Sequence, residues 1–195
     1  YRGMRNSLRY QLGNLFDFDP AKDAVPVARL SPIDRWALVE TARLVREVTD
    51  ACERHEFHRA AAALANFTTG TLSATYHNIV KDRLYTLAPA DPLRRSTQTA
   101  LDLILRTYLR VIAPFVPFTA DEAWSHLVAK AEYTEAPSVH LQDWPAPSAE
   151  WEDAAGLAAH ATCARVQALA ALVNVPLEKM RQEKQLGQSD RKSTR

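Results

Sequence analysis

Glycine is scarce in this chain, with five in 195 residues at positions 3, 13, 70, 156 and 187. They never reach the spacing of a loop that cradles phosphates, so nucleotide binding of that kind is excluded within the chain. Cysteine is scarcer still. Cys52 and Cys163 have no second thiol at metal-ligand or redox spacing, which favours reduced structural thiols over a disulfide framework or a zinc site. No uninterrupted apolar run approaches the roughly 18 residues of a membrane span, and the opening YRGMRNSLRY lacks the apolar stretch of a signal peptide. A cytoplasmic chain with no membrane partner is expected. Strong net charge is also missing: 24 Lys and Arg against 23 Asp and Glu leave +1, with no global pull on a polyanion.

Chemical constellations are equally thin. His55 and His58 are three apart and could share a helix face as metal ligands do, but no third ligand has usable spacing, so they read as partly exposed polar residues. Serines, histidines and acids are plentiful, yet none sits in a nucleophile-elbow context. No catalytic residue, metal-ligand set or cofactor site is assigned within the chain.

Hydrophobic residues at 47% and charged residues at 24% are ordinary globular proportions and exclude a mainly disordered chain. The length suits one domain with a tail, divided here as a bundle over 1–175 and a tail or truncated next subdomain over 176–195. The charge is unevenly placed. Residues 1–16 carry Arg2, Arg5 and Arg9 with no acid, residues 132–153 carry six acids with no Lys or Arg, and residues 179–195 carry six bases against Glu183 and Asp190. Such local basic faces steer polyanions over about a Debye length.

Helical periodicity dominates. Tyr1, Met4, Leu8, Leu12 and Leu15 share one helix face, with Arg2, Arg5, Asn6 and Arg9 on the others. This helix starts mid-pattern, without a cap, as though cut from something longer. DFDPAKD breaks it. Ser31 and Pro32 mark the next start, the serine as a side-chain cap, and Ile33, Trp36, Leu44, Val48 and Ala51 form its stripe. Phe57, Ala60, Ala61, Leu64 and Phe67 form another, and the TTGT cluster at 68–71 predicts a kink or short break. A further amphipathic run spans 96–113 through Leu101, Ile104, Leu105, Tyr108 and Ile112. Thr119 and Glu122 have capping-box spacing before a short helix with Trp124 and Leu127. Residues 138–144 read as a short extended segment packing Val139, Leu141 and Trp144 on the bundle. Residues 150–186 are alanine-rich and helical by propensity, with Pro176 interrupting. The fold class expected is all-α, a bundle of five to six helices.

Within NIVKDRLYT at 78–86, three charges and a tyrosine gather where the flanking residues look like core. Tyr76, Ile79, Val80, Arg83 and Leu84 can share a broad buried face, with Lys81 and Asp82 turned outward beside Tyr85. Pattern alone favours a solvated Lys81, an Arg83 in an internal ion pair and a half-buried Tyr85 ring. It does not settle the question.

The order of segments says more. YRGMRNSLRYQLGNLFDFDP, PIDRWAL, EFHRAAAALANF, LSATYHNIVKDRLYTLAPADPLRRSTQTAL, APFVPFTADEAW and SVHLQDWP together resemble the C-terminal helical region of bacterial-type isoleucyl-tRNA synthetases, over residues 1–186. Single pieces recur in related class I enzymes, including the valyl type; the KDRLYT to RRSTQTAL series with HLQDWP points to the isoleucyl type. The chain departs from that pattern where KQLGQSDRKSTR only begins a motif similar to IGSSLEA, and where Pro176 replaces a helix former.

The resemblance implies an anticodon-binding helical bundle that grips the anticodon stem-loop of isoleucine tRNA, as a monomer. Catalysis, ATP and Mg would belong to the parent enzyme, whose HIGH and KMSKS signatures this chain lacks, as it lacks any zinc-binding cysteine cluster. Lys81 matches the family lysine associated with the anticodon loop. Arg83 is expected to hold the neighbouring helix and to belong to the RNA-binding set. Arg5, Asn6, Arg9, Arg94 and Arg95 are candidate backbone contacts, and Tyr85 a surface on which an unpaired base can stack. Two alternatives stay open: the same domain from a valyl or leucyl enzyme, and a helical protein-interaction bundle with no RNA role.

Overall fold

The computed structural model describes residues 1–128 and 137–183. The cations from position 184 onward, Leu186 and the acids Glu132 and Glu135 lie outside those residues. Helix α1 (Arg2–Asn14) opens the chain. Its spacing carries Leu8 and Leu15 into the core and sets Met4 and Leu12 at the margin, but Tyr1 stays 69% exposed. Tyr1 precedes the helix, and its hydroxyl forms a 3.1 Å hydrogen bond with Thr119 Oγ1 instead of burying its ring. Within DFDPAKD the chain does more than break, because Asp19 accepts from the Ala21 N–H at 3.0 Å and starts the short helix α2 (Pro20–Asp23).

Helix α3 (Pro32–Glu53) begins with proline at its first position, as expected. The Ser31 side chain does not cap it. That hydroxyl instead donates to Asp34 Oδ2 at 2.8 Å and accepts from Arg83 at 2.9 Å. His55 turns the chain with φ of 59°, and the Glu56 N–H closes on the Ala51 carbonyl at 2.8 Å. From there α4 (Phe57–Asn66), a π-helical stretch (Phe67–His77) and α5 (Asn78–Thr86) follow without interruption. Phe57, placed in the buried stripe by its spacing, is 55% exposed because it sits at the outer end of α4, edge-on to the His55 ring.

The cluster at 68–71 therefore widens the helix instead of breaking it. Thr68 and Thr69 hydroxyls donate to the carbonyls of Leu64 and Ala65 at 2.6 and 2.9 Å, and Thr75 donates to Gly70 O at 3.0 Å. Such back-bonds perturb the regular ladder, and the π geometry keeps the backbone paired across the perturbation.

Helix α6 (Pro92–Ile112) is capped by Asp91, which accepts from the Leu93 and Arg94 N–H groups, with Pro92 first. Helix α7 (Pro117–Val128) starts two residues before the proposed capping box. Thr119 is thus already in the helix, bonded to Tyr1, and Glu122 faces Arg5 at 3.6 Å. Residues 138–144 are not a packed extended segment. Ser138 donates to Asp121 Oδ1 at 2.6 Å and accepts from the His140 N–H, which winds Val139–Leu141 into a 3-10 turn. Only Val139 is buried: Leu141 is 69% and Trp144 40% exposed, with the Trp144 indole N–H bonded to Thr49 at 2.8 Å.

Helix α8 (Ala154–Gln182) runs through Pro176. Its start is tied to α3 by Arg35 with Asp153 and Arg46 with Glu152, and further on by His160 with Glu40 at 2.5 Å. Contrary to the expectation from uninterrupted runs, α8 is long and apolar enough over Ala154–Leu177 to cross a membrane by length and composition. Alanine raises that average; the longest unbroken apolar stretch there is short.

Counting 57–86 as one rod and setting α2 aside, six long helices make the bundle, with no strand among the described residues. Helix α6 is its axis, packed on α1, α3, α5 and α7. Leu101, Ile104, Leu105, Tyr108, Leu109 and Ile112 are fully buried along it. Each buried side chain of this size contributes about 1.5–3 kcal/mol, so this rod alone anchors the fold. Cys52 and Cys163 are free and half-buried, and burial pushes both thiols up.

Candidate nucleic-acid interface

Helix α1 packs beside the π-helical stretch and meets the end of α5 through the Tyr10 and Tyr85 rings. Asn6 and Tyr10 are four residues apart on α1, and His77, Lys81 and Tyr85 repeat every four across the π-to-α junction, so each set projects from one side of its helix. The two sides meet. Between them lies a cleft of about 320 Å³ lined by Asn6, Tyr10, His77, Asn78, Lys81 and Tyr85, among others.

Its floor is aromatic. Tyr10 stacks on His77 with ring centroids 4.2 Å apart and planes 26° off parallel, while Tyr85 meets Tyr10 edge-on at 6.5 Å and 77°. The Tyr10 hydroxyl donates to the His77 carbonyl at 3.2 Å. Burial lowers the His77 pKa to about 4, so the ring is neutral at pH 7, and its Nε2 is buried with no hydrogen-bond partner. Burial likewise raises the Tyr10 phenol above its usual value. At the mouth Lys81 Nζ donates to Asn78 Oδ1 at 2.8 Å, which holds the ammonium over the cleft.

Beneath α5 sits a charged knot. Asp34 is fully buried, and its carboxylate accepts from the hydroxyls of Ser31 (2.8 Å), Tyr76 (2.7 Å) and Ser96 (2.6 Å). Arg83 lies 3.8 Å from it. A buried carboxylate is tolerable when hydrogen-bonded and paired, and this one ties α3, the π stretch, α5 and α6 together.

The eight residues singled out from the sequence separate into three groups. Asn6, Lys81 and Tyr85 meet at the cleft. Arg5 and Arg9 line a neighbouring cleft between α1 and α7, Arg5 beside Glu122 and Arg9 exposed without an ion-pair partner among the described residues. Arg83, Arg94 and Arg95 turn inward. Arg94 bonds Asp17 Oδ2 at 2.9 Å and the Leu87 carbonyl at 3.0 Å, and Arg95 bonds the Asp17 carbonyl at 3.0 Å and lies 3.5 Å from Asp23. Their guanidinium groups fasten α6 to the segment after α1.

Ile79 was placed on the buried face by its spacing and is 49% exposed, whereas Tyr76, Val80 and Leu84 are buried. Val80 centres the stripe, and its predecessor points about 100° away, outside a narrow apolar face. Tyr85, at 65% exposed, is no half-buried core ring. Sequence reasoning missed Tyr10, His77, Asn78 and Asp34. The four-residue spacing of Asn6 with Tyr10, and of His77 with Lys81, was a signal for the first two; nothing local marked Asp34 as buried.

Comparison with known proteins identifies the family. Residues 34–195 match the family described as the anticodon-binding domain of tRNA ligase. The isoleucine–tRNA ligase of Syntrophomonas wolfei subsp. wolfei is 39% identical over 189 residues, 97% of this chain and 20% of that protein. That of Carboxydothermus hydrogenoformans is 42% identical with the same coverage, and that of Burkholderia mallei is 50% identical over 124 residues, 64% of this chain and 13% of that protein. The chain spans about a fifth of the length of the first two of these relatives. An all-α bundle with a cationic, aromatic cleft, matched over most of its length, belongs to the anticodon-binding domains of tRNA ligases.

Proposed function

We propose that the face formed by α1 and α5 binds the anticodon stem-loop of isoleucine tRNA, as the RNA-gripping part of an isoleucine–tRNA ligase. The observation that carries this reading is Lys81, held by Asn78 above a cleft to which Asn6 and Tyr85 also contribute, with the exposed Arg9 on the same helix as Asn6. A cation fixed on a packed helix meets an RNA phosphate with little ordering cost, and phosphate contacts set the register of a bound backbone. In this reading Arg83, Arg94 and Arg95 act indirectly, by holding α5 and α6 where the cleft needs them. ATP, magnesium and the attachment of isoleucine belong to other parts of a cytoplasmic, monomeric enzyme.

Binding of hairpins with isoleucine, valine and leucine anticodons, measured over a salt series, tests the proposal. Expected is preference for the isoleucine hairpin, with log K falling by about 0.7 per phosphate contact as log salt rises. Equal, salt-insensitive binding of all three would overturn it.

A further inference from the structure

Helix α8 leaves the bundle with its polarity reversed. Its start is held by Arg35 with Asp153, Arg46 with Glu152 and His160 with Glu40. Beyond that, His160, Ala164 and Gln167 face α3 and the π-helical stretch across a cleft of about 410 Å³ with the buried Trp36 in its wall. The side toward the bundle thus carries the histidine and the glutamine. At about 100° per residue, Leu169, Leu172 and Val173 point within about 60° of the direction opposite Gln167, away from the bundle. A surface helix of a globular domain does the converse and turns its apolar stripe to the core.

Every residue from 164 to 176 is exposed, Leu172 at 72% and Val175 at 73%. From Val166 to Leu177 the sequence has no charged side chain. Proteins rarely show so continuous an apolar surface unless something covers it, and a helix of this length with no packing is marginal in water.

Three occupants could supply the cover, and the helix separates them. A bilayer needs about 30 Å of apolar helix, whereas the uncharged stretch spans about 18 Å. A second copy in a two-stranded coil would use one seam. Along Val166, Leu169 and Val173 that seam next reaches Pro176, and it leaves Leu172 and Val175 bare on its flank. The third occupant is the rest of the same polypeptide. The matched stretch is 20% of each of two isoleucine–tRNA ligases, so four fifths of such a chain lies outside it. A patch diluted by Ala168, Ala170 and Ala171 buries too little area to recruit a separate protein, but a tethered segment arrives at high effective concentration.

We infer that the outward side of α8 is an interface for the rest of the ligase polypeptide, which covers 166–177 with an uncharged, aliphatic surface. The inference rests on the proposed place of this chain in an isoleucine–tRNA ligase, and on neither Lys81 nor RNA.

Hydrogen exchange tests it, comparing α8 in this chain with α8 in a complete ligase that contains it. The amides of 166–177 are expected to exchange at least about tenfold more slowly in the complete ligase. A Leu169→Glu, Leu172→Glu variant of that ligase should lose the difference while the α6 amides keep their protection. Both side chains are exposed, so the same replacements leave the thermal midpoint and hairpin binding of this chain unchanged. Equal exchange in the two settings would overturn the inference. So would dimerisation of this chain through α8 in sedimentation, which would assign the patch to a second copy, or flotation with phosphatidylcholine vesicles, which would assign it to lipid. Loss of hairpin binding with α8 protection intact would sink only the RNA reading.

Discussion

The Tyr76 hydroxyl donates to the buried Asp34 carboxylate at 2.7 Å, joining the π-helical stretch to α3 directly under the helix that carries Lys81. Burial and the neighbouring Asp34 charge hold the Tyr76 phenol well above its ordinary pKa, so it remains a donor. Tyr76→Phe removes that donor and leaves the ring. The expected cost is about 1.5–3 kcal/mol, the range for a hydrogen bond to a charged group, read as a lower urea midpoint with unchanged slope. An unchanged midpoint would mean that Ser31, Ser96 and Arg83 satisfy Asp34 without Tyr76.

Leu84 and Ile79 lie on the same helix with opposite surroundings, 4% and 49% exposed. Leu84→Ala is expected to destabilise by about 2–5 kcal/mol through lost burial and a residual cavity. Ile79→Ala should stay within about 1 kcal/mol. Equal losses in thermal or urea unfolding would show that the buried stripe of α5 is wider than described.

His77 gives the fold a pH dependence of fixed sign. Burial lowers its folded pKa to about 4, whereas an unfolded histidine titrates near 6.5. The neutral ring's contribution is therefore fully present above about pH 6.5 and is lost as pH falls toward 4, because only the unfolded chain gains the proton in that window. Between pH 7 and pH 5 the loss amounts to about 2 kcal/mol. Urea unfolding at both values, compared with His77→Gln, checks this: the variant should lose that share of the pH dependence. Equal slopes in both proteins would place the titration elsewhere.

Arg94 and Arg9 separate structural cations from available ones. Arg94 is 8% exposed and bonded to Asp17, which keeps Gln98 at 2.7 Å and Arg95 at 3.9 Å when Arg94 is removed, so Arg94→Ala should cost about 1–3 kcal/mol in stability. Arg9→Ala should leave the thermal midpoint unchanged within measurement and weaken hairpin binding. The reverse pattern would contradict the assignment of roles.

Much of this arrangement was legible from local pattern. The stripe of Leu101, Ile104, Leu105, Tyr108 and Ile112 needs only helical spacing and apolar side chains, and all five are buried as it predicts. Boundaries were less legible, because Ser31, Thr119 and Ser138 each found a partner distant in sequence that local capping rules do not contain. The same holds for the site. Lys81 and Tyr85 stand out in the sequence, but whether an arginine faces solvent or an aspartate depends on tertiary neighbours: Arg94 and Arg95 meet Asp17 only after the chain folds back. The widened turns at Phe67–His77 also shift the phase of α5 against α4, which no single period describes.

The central claim is that Lys81 meets RNA. Hairpin binding by Lys81→Ala across a salt series tests it most directly. The account predicts lower affinity, a log K against log salt slope shallower by about 0.7, and an unaltered thermal midpoint. Identical affinity and slope in mutant and unaltered chain would contradict it.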